Sequence, residues 1–136
     1  MRTDLPRGAV AIITNSKGEL LLHLRDDIPS IAWPGHWSVL GGGCDPGEHP
    51  RRAIVRELRE EAGLTITRLE ELCEVFDEHG SGQLITVYAA NWDGDAALLP
   101  LSEGAKLSWV APGQLDTLTI PPFIRTAIDR YLAARP

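Results

Sequence analysis

The sequence is poor in the residues that cross-link or anchor a chain. It has two cysteines, Cys44 and Cys73, 29 positions apart, with no second Cys or His at ligand spacing beside either. That excludes a disulfide framework and a structural zinc site, and two reduced thiols in a cytoplasmic protein are expected. No run approaches the roughly 18 consecutive apolar residues of a membrane span. The opening Met1-Arg2-Thr3-Asp4-Leu5-Pro6-Arg7 lacks the apolar stretch of a secretory signal. Basic residues are outnumbered, 13 against 19 acidic, for a net charge of −6. Neither duplex nucleic acid nor an anionic membrane is therefore expected as a partner. An anionic ligand would need a metal ion or a local cluster of cations. What remains is ordinary for a globular protein: 43% hydrophobic and 24% charged residues in 136, room for one domain over 1–136.

Turn and breaker signals divide the chain. Residues 8–15 and 19–25 read as a β-hairpin around Ser16-Lys17-Gly18. Residues 26–35, with Pro29 and Pro34, read as a loop, and Trp37–Leu40 as a short strand. Three glycines, 41–43, and Asp45-Pro46-Gly47 follow. Residues 50–62 form an uninterrupted helical stretch, with Pro50 in the first turn and Gly63 as C-terminal cap. Segments 65–78 and 83–92 read as strands around a turn at 79–82, 107–110 as another strand, and Pro121-Pro122 opens a closing helix that runs to about Ala134. Strands, helix, strands, helix predict an α/β or α+β fold with a mixed sheet covered by helices.

The chemistry lies in residues 42–64. At about 100° per residue, Ile54, Val55, Leu58 and Ala62 share one side of the helix. Glu57, Glu60 and Glu61 share another, at spacings i, i+3 and i+4 that make them neighbours. Three adjacent carboxylates repel unless neutralised, either by arginines 51, 52, 56 and 59 or by a hard cation such as Mg²⁺, which prefers carboxylate oxygen at about 2.1 Å. The wider spacing decides between them. Gly42, five residues, Glu48, seven residues, Arg56-Glu57-Leu58, one residue, Glu60-Glu61, one residue, Gly63-Leu64 resembles the signature box of the MutT-like Nudix hydrolases at every defining position. A chance match in a chain this long is on the order of 10⁻⁷ to 10⁻⁶.

The resemblance implies an α/β/α sandwich with a mixed sheet and a Mg²⁺-dependent hydrolase, with Mn²⁺ as a substitute. Its substrate would be a nucleoside diphosphate joined to another group, foremost a nucleoside triphosphate cleaved to monophosphate and pyrophosphate. It implies Glu57, Glu60 and Glu61 as metal ligands with the carbonyl of Gly41, and Glu57 as first choice of general base. Arg56 joins the catalytic group as a residue paired with Glu48, with Gly42 and Glu48 as structural support. It also implies Glu103, in Ser102-Glu103-Gly104, as a further ligand or base. Glycines 41–43 read as a loop whose backbone must come close to a ligand. Around the box, Trp33 is a candidate to stack on a base, His36 to reach a phosphate, and Arg25, on one face with Leu21 and His23, to bind phosphate as a fixed fork. Trp37 is expected in the core below the box.

Departures narrow the reading. Leu40 stands where many members have Pro. Asp77-Glu78-His79-Gly80 carries neither the Pro of ADP-ribose enzymes nor the Tyr of dinucleoside polyphosphate enzymes. Pro121-Pro122-Phe123-Ile124 offers no base-reading amide. A nucleotide-sugar or ADP-ribose-type hydrolase is the next alternative, and a non-catalytic nucleotide-sensing module the third. The resemblance leaves a homodimer open.

Overall fold

In residues 8–14 small and branched apolar side chains fall alternately on two faces, and both faces are buried. Such a strand must lie inside a sheet covered on both sides. The computed structural model, which describes residues 5–101, 104 and 106–135, places it there. Strand β1 (Arg7–Thr14) pairs in parallel with β6 (Leu84–Asn91) along its whole length. On its other edge it pairs antiparallel with β4 (Leu40–Gly43), from Gly8↔Gly43 to Ala11↔Leu40. Its hairpin partner β2 (Leu20–Leu24) meets it only at Thr14↔Leu20. β2 then pairs antiparallel with β7 (Lys106–Val110) and with β3 (Trp37–Ser38), and β5 (Glu70–Phe76) pairs antiparallel with β6. The segment 37–43 thus starts on β2 and ends on β1, wedged where these two strands part. The result is one seven-stranded mixed sheet.

Two helices cover it. Helix α1 (Pro50–Ala62) lays Ala53, Ile54, Leu58 and Ala62 on Ala9, Ala11, Ile13, Leu21 and Tyr88. Helix α2 (Pro122–Ala133) lays Ile124, Ala127, Ile128 and Tyr131 on Val10, Ile12, Leu20, Leu22 and Val87. Each fully buried Leu or Ile contributes about 1.5–3 kcal/mol of transfer free energy. The small residues Ala9, Ala11 and Ala53 let α1 lie close to the sheet, which fixes its acidic side relative to β4. The cap residues of α1 define its length. His49 Nδ1 accepts the Arg51 N–H at 3.1 Å, and Gly63, at φ 66°, donates its N–H to the Arg59 carbonyl at 3.0 Å.

Three expectations need correction. Glycines 41–43 are not a loop but the end of a strand, because the β1 backbone lies directly beside them. A Cβ on Gly41 would meet the Ala9 carbonyl oxygen and come within 2.6 Å of Val10 Cα. The strand expected from residue 65 begins at Glu70. Leu64, Ile66 and Leu69 turn inward onto the α1-side core, but among the described residues no strand pairs with them; the Leu69 carbonyl instead accepts from Arg51 Nη1 at 2.6 Å. Trp37 packs half-buried against the α2-side core, with the Lys106 ammonium 5.5 Å from its ring centroid, rather than below the box. Short 3₁₀ turns occupy Ala96–Leu98 and Pro112–Thr117, within stretches without a helical period. Cys44 and Cys73 are half-buried free thiols, and among the described residues no helix is long and apolar enough to cross a membrane.

Candidate active site

Where β1 and β2 part around the 37–43 wedge, the surface opens into a cleft of about 560 Å³, a size that suits a small-molecule ligand. Its lining comes from β1, β2, the 26–36 loop, glycines 41–43, α1, the β5–β6 turn and the start of α2.

Helix α1 turns Glu57 and Glu61, one turn apart, toward the wedge, and both line the cleft. Glu61 is buried, and its Oε1 accepts the Gly41 N–H at 3.1 Å. The Glu57 carboxylate lies against Gly42, where a Cβ would come within 2.7–2.8 Å of it. Gly42 is therefore bare because a carboxylate occupies the space a side chain needs. Glu60, the third acidic residue of this turn, is largely exposed and is not among the cleft-lining residues. Glu103 lies outside the described residues.

Arg56 holds this arrangement together. Its Nε and Nη2 grip the two oxygens of Glu48 at 3.0 and 2.8 Å. Nη1 donates to Glu57 at 2.9 Å and Glu60 at 3.1 Å, and Nη2 also donates to the Gly43 carbonyl at 3.1 Å. All five guanidinium donors are engaged, so Arg56 orients carboxylates rather than meeting a ligand. The guanidinium, helped by the Asp45 N–H, holds the Glu48 carboxyl well below its usual range, at about 2, and Glu48 in turn raises Arg56. Beside it, burial and the Glu48 charge push the Cys44 thiol up, which keeps it protonated near neutral pH.

The opposite wall is built differently. Arg25 lines the cleft with its Nε anchored on the Ala32 carbonyl at 2.7 Å, and among the described residues it makes no ion pair. Trp33 lines the cleft too, its Nε1 donating to Asp77 Oδ1 at 2.9 Å. His36 is placed differently from the phosphate contact expected of it. It is not among the lining residues; its ring sits edge-on to Trp33 at 5.3 Å, and its Nδ1 faces the Pro34 carbonyl at 2.9 Å. The sequence did not single out Ser38, Asp77, Ser81 or Gln83, all of which line the cleft. Only the Asp-x-x-x-Ser turn spacing of 77–81 hints at two of them.

The donors facing the cleft from α1 and β4 are hard oxygens. Among the described residues no three His, Cys, Asp or Glu side chains stand together as a complete metal cage. Two carboxylates suit Mg²⁺, which keeps several waters and shares itself with phosphate oxygens. The residues present therefore fit a divalent cation held jointly with a polyphosphate.

A family model described as the NUDIX domain matches residues 4–131. The chain belongs to the Nudix family. It is 31% identical over 115 residues to a putative 8-oxo-dGTP diphosphatase of Bacillus subtilis, covering 85% of this chain and 72% of that protein. It is 30% identical over 126 residues to the CTP pyrophosphohydrolase of Escherichia coli, covering 93% and 91%. Among solved structures it resembles the MutT protein of Methanosarcina mazei, with a TM-score of 0.82 at 28% identity over 95% of this chain and 94% of that one. This Nudix chain is a hydrolase of phosphoanhydrides.

Proposed function

We propose that the cleft binds a nucleoside triphosphate, with its phosphates at Glu57 and Glu61, and hydrolyses it to nucleoside monophosphate and pyrophosphate with Mg²⁺ or Mn²⁺. The observation that carries this reading is the convergence of the Glu57 and Glu61 carboxylates on the glycine backbone of β4 inside one ligand-sized cleft. The names of two similar relatives, one for 8-oxo-dGTP and one for CTP, support a triphosphate over a nucleotide sugar.

Glu57 and Glu61, with the Gly41 carbonyl and, as the resemblance implies, Glu60 and Glu103, would hold the cation. When bound, it neutralises phosphate charge and acidifies water near the reacting phosphorus. The chain's own residues do the rest. Arg56 keeps Glu57 oriented through its Nη1, so Glu57 can take a proton from the attacking water as its oxygen bonds to phosphorus and the P–O–P link breaks. Arg25, fixed by the Ala32 carbonyl, keeps both Nη groups unengaged among the described residues, available for a bidentate phosphate contact. Trp33 offers an aromatic surface for the base.

The test is a panel of canonical and oxidised nucleoside triphosphates, nucleotide sugars and ADP-ribose, with Mg²⁺ or Mn²⁺, with and without excess EDTA. Products are separated by anion-exchange chromatography and read as nucleoside monophosphate, pyrophosphate and sugar phosphate. Pyrophosphate from triphosphates, abolished by EDTA, is expected. Cleavage of sugar nucleotides alone moves the assignment to that class, and full turnover in chelator refutes the metal-dependent reading.

A further inference from the structure

Among the described residues Asp77 is the most buried carboxylate, at 2% exposure against 7% for Glu61. It lies just beyond β5, outside the signature box, and no cation among the described residues pairs with it. Burying an unpaired carboxylate costs stability unless several donors satisfy it. Three do so here. Oδ1 accepts from Trp33 Nε1 at 2.9 Å, and Oδ2 accepts from the Ser81 N–H at 2.7 Å and the Ser81 hydroxyl at 2.9 Å. Its main chain closes the same turn, donating to the Gln83 carbonyl at 3.0 Å and accepting from Gly82 at 2.9 Å. Closing a turn needs only the Ser81 side of this arrangement, and a neutral Asn or Ser serves as well. The bond to Trp33 is what the turn does not need.

Trp33 is tightly constrained for a loop residue. It holds a left-handed backbone at φ 52°, unusual for a bulky side chain and tolerated where surrounding contacts over-determine it. Phe123 lies against one side of the indole, with ring centroids 6.2 Å apart, and His36 is edge-on at 5.3 Å. Gly80 lies so close that a Cβ there would meet Trp33 Nε1 and the Asp77 carboxylate. Trp33, Phe123, Asp77 and Ser81 all line the cleft. Because its contacts fix the indole before any ligand arrives, a base stacking on it needs little further ordering.

We infer that Asp77 is a positioning residue for nucleobase recognition: through the indole N–H it locks Trp33 as one wall of a base subsite. The inference rests on the nucleotide reading above and adds a residue, and a division of labour, that the signature box does not contain. Phosphate chemistry lies with α1 and β4, and recognition of the base lies with a clamp between the 26–36 loop and the β5–β6 turn.

The test compares kcat and KM for CTP and 8-oxo-dGTP with those for ribose 5-triphosphate, which has no base. Asp77→Ala is expected to raise KM for the better nucleotide about tenfold, as loss of a stacking contact does, with kcat within about threefold. KM for ribose 5-triphosphate stays within about twofold, since no base is there to stack. Asp77→Asn, which keeps an oxygen for the indole N–H, restores most of the loss. In a Trp33→Phe background, Asp77→Ala adds nothing, because its effect runs through that N–H. Equal KM rises for both substrate types, an undiminished effect in the Trp33→Phe background, or no rescue by Asp77→Asn overturns the inference. If Asp77→Ala does not fold, Trp33→Phe decides: a rise for nucleotides alone supports the clamp, and an equal rise or no rise overturns it. Wild type cleaving nucleotides and ribose 5-triphosphate with equal KM removes the base subsite but leaves the hydrolase reading standing. Wild type cleaving no nucleotide removes both.

Discussion

The two arginines of the cleft region are used in opposite ways. Arg56, below the acidic end, has every donor committed to Glu48, Glu57, Glu60 and the Gly43 carbonyl. Arg25, on the other wall, is anchored by one nitrogen and leaves the rest of its fork facing the cleft. The same contrast extends to their neighbours. Near Arg25 the cleft is lined by Ser38, opposite His23 on β2; the Ser38 side chain makes no hydrogen bond among the described residues. The contrast separates two jobs. A site that must present charge in a fixed geometry commits its polar groups to one another beforehand, so little reorganisation remains at the moment of reaction. On the far wall the Trp33–Asp77–Ser81 clamp is committed in the same way, whereas Arg25 and Ser38 keep polar groups open for a ligand.

The comparison breaks most sharply at Glu61. Glu61→Gln is expected to lower kcat/KM by about 100-fold or more, because on the proposed reading it removes a metal ligand and with it several kcal/mol of charge stabilisation. A variant within about threefold of wild type in steady-state assays would place the chemistry elsewhere. Gly42→Ala is the next largest. The new methyl would displace the Glu57 carboxylate, the movable end of a side chain, so the fold survives while the geometry shifts. A drop in kcat of about 10- to 100-fold with an almost unchanged melting temperature is expected. A large fall in melting temperature instead would mean that Gly42 serves packing and not the carboxylate.

Acid titration separates the two ends more gently. Glu48 has a folded pKa of about 2, below its unfolded value of 4.5, set first by the Arg56 hydrogen bonds and then by the Asp45 N–H. The unfolded chain therefore takes up the proton first as pH falls. The stability contributed by the Arg56–Glu48 pair is complete above pH 4.5 and is lost between pH 4.5 and about 2. Melting curves of wild type and Glu48→Gln should differ above pH 4.5 and converge toward pH 2. A gap independent of pH would show that Gln is tolerated or rejected for its shape rather than its charge.

The sequence carried the acidic end almost completely and the far wall hardly at all, for a physical reason. Glu48, Arg56, Glu57 and Glu61 lie within one helix and its lead-in, so helical spacing brings them together. The pairing of residues 40–43 with β1 then sets the glycines against them. The far wall depends on contacts such as Trp33 to Asp77, 44 positions apart, which no periodicity encodes. The glycine run shows the same limit from the other side. That side chains would be blocked there was legible, but its being a strand was not, because the partner that makes it one is β1, thirty-odd residues upstream. Residues 65–69 failed as a strand likewise: apolar and β-branched content records which side chains are buried, not whether a neighbour is there to pair.

The smallest expected effect tests whether commitment of polar groups is general on the α1 side of the sheet. Tyr88 lies wholly buried under α1, with the Arg51 guanidinium 5.1 Å above its ring, and among the described residues its hydroxyl has no hydrogen-bond partner. Burial, with the nearby Glu71 charge, pushes its ionisation up, so the group remains a neutral phenol. An unmet hydroxyl in such a place costs about 1–3 kcal/mol of desolvation, while the ring keeps its packing and its contact with Arg51. Tyr88→Phe should therefore leave stability unchanged or raise it by up to about 1 kcal/mol, and leave activity intact. Destabilisation by more than about 1 kcal/mol in urea titration would mean that the hydroxyl has a partner after all, such as a buried water. The α1 side would then be as fully hydrogen-bonded beneath the helix as it is around Arg56.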